Sequence, residues 1–161
     1  MLSSEFDLLN NIKYLYLRDV SEPRDNSLRV VVQEAVANPL GALRADRPEL
    51  AEIMKDASPI ESTGNCKTFE LFWKRYAAYL VSEECVGSCG DFGDESYEGT
   101  LFRIYMKSQF LDHLARDTGG HAERLQHYKL ICLNHIIDVA SHAPPEIQIH
   151  DPTPKPPTRI Q

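Results

Sequence analysis

FELFWKRYAAYLVSEEC, residues 69–85, is the stretch on which the fold turns, because two periodicities compete in it. At helical spacing Phe69, Phe72, Trp73, Tyr76, Ala77 and Leu80 make one apolar stripe. At strand spacing Phe69, Leu71, Trp73, Ala77, Tyr79 and Val81 share a parity, with only Arg75 against it. Length and the Ala77-Ala78 pair favour a helix, whereas the aromatic and Val content favours a strand. The stretch is read as one long strand, because its neighbours need pairing partners.

Upstream, IKYLYLRDV (12–20) and LRVVVQEAV (28–36) flank SEPRDNS. Two runs rich in Val, Leu and Tyr around Pro, Asp, Asn and Ser read as antiparallel strands. Residues 38–64 read as loop enclosing a short helix capped by Asp46, with Pro48 in its first turn. Downstream, TLFRIYMKSQFLDHLARDTGG (100–120) reads as a strand handing over to a helix. Ser108 is its N-cap, Phe110, Leu111 and Leu114 face inward, and Gly119-Gly120 stop it. LQHYKLICLNHIIDVAS (125–141) is apolar on both parities and reads as one central strand. Pro144-Pro145 then end regular pairing, giving a single domain over 1–145 and a Pro-rich extended tail over 146–161. The expected fold is α+β: a mainly antiparallel sheet of about five strands, sandwich- or half-barrel-like, with one or two short helices.

With 161 residues and a net charge of −7, the chain fits one domain whose electrostatics oppose nucleic acid. No apolar run approaches the ~18 residues of a membrane span, and the acids of MLSSEFDLLNNIK do not suit a secretory leader. A cytoplasmic location with free thiols is the expectation. Cys85 and Cys89 enclose three residues, a poor match to zinc or redox pairs, and Cys66 and Cys132 supply no second pair of that spacing. No metal or cofactor is expected.

The charge is unevenly placed. Residues 81–120 hold three bases and eight acids, and Glu83, Glu84, Asp91, Asp94, Glu95 and Glu98 fall within one Gly-rich stretch. That segment lacks the spacing of a calcium loop, so its functional reading is a surface for a basic protein partner. A second constellation is polar residues in apolar runs: His135 and Asp138, with Glu34 as a further carboxylate. On a strand His135 and Asp138 point to opposite faces, while on a helix they would meet. Ser108 is the one hydroxyl to consider as a nucleophile, although no nucleophile elbow surrounds it. Trp73, beside Lys74 and Arg75, suits a binding hot spot, although such an aromatic stripe is more often core or an oligomer face.

The first expectation is therefore a small acidic protein-binding or regulatory protein that is not an enzyme, of inhibitor or immunity type toward a basic protein. A metal- or ligand-binding enzyme using His135, Asp138 and nearby carboxylates is the alternative. A homodimer formed through an aromatic face is a third possibility.

Overall fold

A computed structural model describes residues 4–38, 58–87, 94–117 and 124–152 of the chain. The Asp46-capped helix, Cys89, Asp91 and the Gly119-Gly120 stop lie outside the described residues.

The chain begins with helix α1 (Ser4–Asn10) and the hairpin β1 (Tyr14–Ser21) and β2 (Leu28–Ala37). It continues through β3 (Ile60–Glu61), β4 (Thr68–Trp73), β5 (Ala78–Glu83) and a single turn, α2 (Glu84–Gly87). Then follow β6 (Ser96–Glu98), β7 (Phe102–Lys107), α3 (Gln109–Asp117), β8 (Gln126–Ile131), β9 (His135–Ser141) and β10 (Glu146–His150). All pairings are antiparallel. Sheet I has the order β1-β2-β4-β10, with β3 also on β2, and sheet II the order β5-β9-β8-β7-β6. The α+β antiparallel class expected from the sequence is the class found, with two five-stranded sheets instead of a single sheet of about five.

The strand reading of 69–85 holds in each half but not as one strand. Phe69, Leu71 and Trp73 are buried in sheet I, where they lie across from Val32, Val30 and Leu28. Residues 74–77 then carry the chain into sheet II. Hydrogen bonds fix the crossing: Tyr76 N donates to Asn26 O at 2.9 Å, Ala77 N to Ala140 O at 2.8 Å, and Ser141 Oγ to Arg75 O at 2.8 Å. Such ties satisfy backbone groups that leave one ladder before joining another. Parity alone hides the break, because a strand on each side keeps apolar residues at alternate positions.

Residues 125–141 need a similar correction, since β8 and β9 form a hairpin. Cys132 N donates to His135 O at 2.9 Å to close it. The turn also docks on sheet I. Leu133 N donates to Leu15 O, and the Asn134 side chain accepts from Leu17 N at 2.9 Å while donating to Leu17 O at 3.1 Å. Pro144-Pro145 do not end regular pairing: residues 146–150, expected to belong to an extended tail outside the domain, form β10 and pair with β4 as an edge strand of sheet I, because the prolines precede the ladder and none falls within it.

Phe102, Tyr128, Leu130, Ile137 and Val139 of sheet II meet Leu28, Val30, Val32, Phe69, Leu71 and Trp73 of sheet I in one core. Trp73 and Tyr128 touch across it, with ring centroids 6.0 Å apart. Each such fully buried side chain contributes about 1.5–3 kcal/mol relative to exposure. Helix α1 packs Phe6 on Phe102, and Asn10 Oδ1 accepts from Thr100 N at 2.7 Å and Phe102 N at 3.0 Å. Gly99 makes that tie possible: its φ is +95°, and a Cβ there would lie 2.1 Å from Phe102 O.

Candidate functional site

The outward parity of β7, β8 and β9 carries Tyr105, His127, Lys129 and Asp138, the side opposite the core residues Phe102, Tyr128, Leu130, Ile137 and Val139. Lys129 faces Asp138 directly, and His127 is diagonal to it, within reach across a strand pair. His127 Nε2 lies 2.8 Å from Asp138 Oδ1, and Lys129 Nζ 3.2 Å from the same oxygen. Ser108, leading into α3, places its Oγ 2.7 Å from His127 Nδ1. Tyr105 stacks on the imidazole at 4.3 Å, and Phe110 of α3 covers it at 5.1 Å. Ser108, His127 and Asp138 are 4%, 1% and 7% exposed, so this Ser–His–Asp chain is buried.

Its protons can be followed. A carboxylate accepts only, so Nε2 carries the imidazole proton and donates to Asp138. In the neutral imidazole Nδ1 is then bare and accepts the Ser108 hydroxyl proton. Ser108 Oγ in turn accepts from Leu111 N at 3.2 Å, as the N-cap of α3 that the sequence implied. Burial pulls the Lys129 ammonium down, but the Asp138 carboxylate and Tyr105 more than offset this, and its pKa is raised. The lysine thereby neutralises the buried carboxylate. In the serine-hydrolase template the hydroxyl faces Nε2 and the acid Nδ1; here the nitrogens are exchanged. The hydroxyl is also committed to capping. This network pins α3 to the sheet, and a fully satisfied buried network is rigid.

The two residues singled out as a pair, His135 and Asp138, are not brought together. Asp138 is held by His127 and Lys129, while His135 Nδ1 is buried without a hydrogen-bond partner. Glu34 lies on β2 in the other sheet, where its carboxylate accepts from Lys67 N at 3.1 Å. His127 was the residue missed. Reading 125–141 as one strand conceals that a turn at 132–134 sets His127 diagonally across from Asp138.

The acidic residues divide between the two edges of sheet II. Glu83 and Glu84 stand at the end of β5, and Asp94, Glu95 and Glu98 at or beside β6. Four strand spacings separate these edges, roughly 19 Å at about 4.8 Å each. Glu95 accepts from Gln109 N at 2.9 Å and so helps cap α3, while Asp94 lies 3.7 Å from Lys107.

The strand edges differ in how they are protected. Edge β1 carries a register shift between Leu17 and Asp19 and is covered by Leu133 and Asn134. Edge β6 has three residues and its own shift. Edge β10 lies between Pro144-Pro145 and Pro152, with Glu146 in an ion pair to Lys74 at 2.5 Å. By contrast, β5 pairs with β9 over six residues in continuous register, contains neither Lys nor Pro, and exposes Leu80 (50%) and Val81 (36%). Among the described residues no strand pairs with its other side. Bulges, lysines, prolines and covers are how edges are kept from pairing with other chains.

No protein-family model, curated protein or solved structure matches this chain. Among the described residues no group of three or more His, Cys, Asp or Glu is placed to hold a metal ion, and no helix is long and apolar enough to cross a membrane.

Proposed function

We propose that this chain is a non-enzymatic, cytoplasmic protein-interaction module that binds by accepting an extended strand along β5. The observation that carries the reading is the contrast between β5, unbulged and with Leu80 and Val81 exposed, and the protected edges β1, β6 and β10. Strand addition gives affinity through main-chain hydrogen bonds and selectivity through alternate side chains. A basic residue placed across from Glu83 suits the acidic end of this edge, consistent with a basic partner of the kind an inhibitor or immunity protein engages. The Ser108–His127–Asp138 chain serves on this reading as a staple for α3.

The test offers the immobilised chain two preys, a differently tagged copy of itself and an extract of its host. The native chain should retain a specific prey that a Leu80→Lys, Val81→Lys variant of unchanged circular dichroism loses. Identical retention by both would remove the reading.

A further inference from the structure

Beyond strand addition at β5, we propose that the chain binds a small carboxylic acid with a compact apolar body, in a cleft where the backbone crosses between the two sheets. The cleft measures about 310 Å³ and is mainly apolar, walled by Phe72 of β4 and by Ala143 and Pro144 of the β9–β10 connection. Ligand pockets of about 300–1,000 Å³ are typically apolar with a few placed polar groups, so this one suits a ligand of a single ring.

Both sides of the cleft are crossings. Residues 74–77 lead from sheet I to sheet II, and residues 142–145 lead back. They are fixed to each other: Ser141 Oγ donates to Arg75 O at 2.8 Å and accepts from Ala143 N at 3.3 Å, while Ala77 N donates to Ala140 O at 2.8 Å. Pro144 and Pro145 hold φ at about −65°. Phe72 is half-buried on the face of β4 opposite the core residues Leu71 and Trp73. The cleft is therefore formed before a ligand arrives, which lowers the ordering cost of binding.

Its charges select an anion. Lys74 is matched by Glu146 in an ion pair at 2.5 Å. Among the described residues, the exposed side chains of Arg75 and His142, which also line the cleft, have neither a hydrogen-bond nor an ionic partner. Arg75 is always charged and presents a planar fork that matches a carboxylate with two parallel bonds. His142 carries at least one ring N–H in either tautomer. The carboxylate is held at Arg75 and His142, and the apolar body lies on Phe72 and Pro144. With a net charge of −7 the chain as a whole repels small acids, so retention depends on this local arrangement.

Titration of the full chain with sodium benzoate, followed by amide shifts in two-dimensional NMR spectra, tests this. Saturable shifts should cluster at Arg75, Tyr76, Ser141, His142 and Ala143, with a dissociation constant on the order of millimolar. Benzyl alcohol lacks the charge and inorganic phosphate lacks the ring, and each should bind about tenfold more weakly or worse. Arg75→Gln should keep the native circular dichroism, because that side chain is exposed and unpartnered, and weaken benzoate about tenfold. His142→Gln should weaken it by a smaller factor. Shifts that do not saturate or that scatter over the surface would overturn the proposal, as would unchanged affinity in Arg75→Gln. Equal binding of benzyl alcohol would reduce the cleft to an apolar surface, and equal binding of phosphate to a charged patch; either refutes the proposal.

Discussion

Two regions of sheet II stand next to each other and obey opposite rules. In the Ser108–His127–Asp138–Lys129 network, reactive groups are present but hydrogen-bonded and hidden. Along β5, chemically inert side chains are left in water, and Leu80 is the direct cross-strand neighbour of Asp138. On the proposed reading, the difference teaches that residue type is a poor guide to where a protein acts. A histidine, serine and aspartate in line are a structural device when every donor and acceptor is used internally. A leucine and a valine become informative when they stand exposed on an unblocked edge.

The comparison can be broken from the network side first. The largest expected effect is global and comes from alkali. Burial raises Tyr128 from 10.0 to about 12 and Cys132 from 9.0 to about 12, and Lys129 is also raised. The folded state holds these protons more tightly than the unfolded chain, so their stabilisation is complete below the ordinary values and is lost as pH climbs to the raised ones. Urea midpoints should therefore hold up to about pH 9 and fall steeply toward pH 12. Next in size, Asp138→Ala strands Lys129 and the His127 N–H, and should cost about 3 kcal/mol or more in urea unfolding. Ser108→Ala removes a cap and leaves Nδ1 without a donor, for about 1–2 kcal/mol. Amide exchange in α3 should rise more than in β2. The smallest effect on stability belongs to Leu80→Lys with Val81→Lys, within about 0.5 kcal/mol of the native chain for each exposed change.

Much of the fold was legible because it depends on local pattern. The β1–β2 hairpin, the strand leading into α3 and the Ser108 cap follow from alternation, turn residues and one hydroxyl at the right place. What was not legible depends on where the chain changes direction within an apolar run. The crossing at 74–77 and the turn at 132–134 contain no Gly or Pro, and both are stabilised by distant backbone partners: Asn26 and Ala140 for one, Leu15 and Leu17 for the other. Missing the second turn hid the His127–Asp138 pairing, since facing positions follow only once a hairpin register is known. Asp138 in an otherwise apolar strand did signal a buried partner, and that partner lay eleven residues upstream instead of three. The acids of residues 83–98 looked like one patch because they are adjacent in sequence. The placement of Glu83 and Glu84 at one edge of a sheet and of Asp94, Glu95 and Glu98 at the other is a property of topology, which composition does not carry.

The most direct test sets Ser108→Ala beside the Leu80→Lys, Val81→Lys variant, reading the urea midpoint and prey retention for both. The expected result is a double dissociation. Ser108→Ala loses stability and keeps its prey, whereas the edge variant keeps its stability and loses its prey. The contradicting result is the reverse, with retention abolished at Ser108 and undisturbed at β5, which would return function to the buried network.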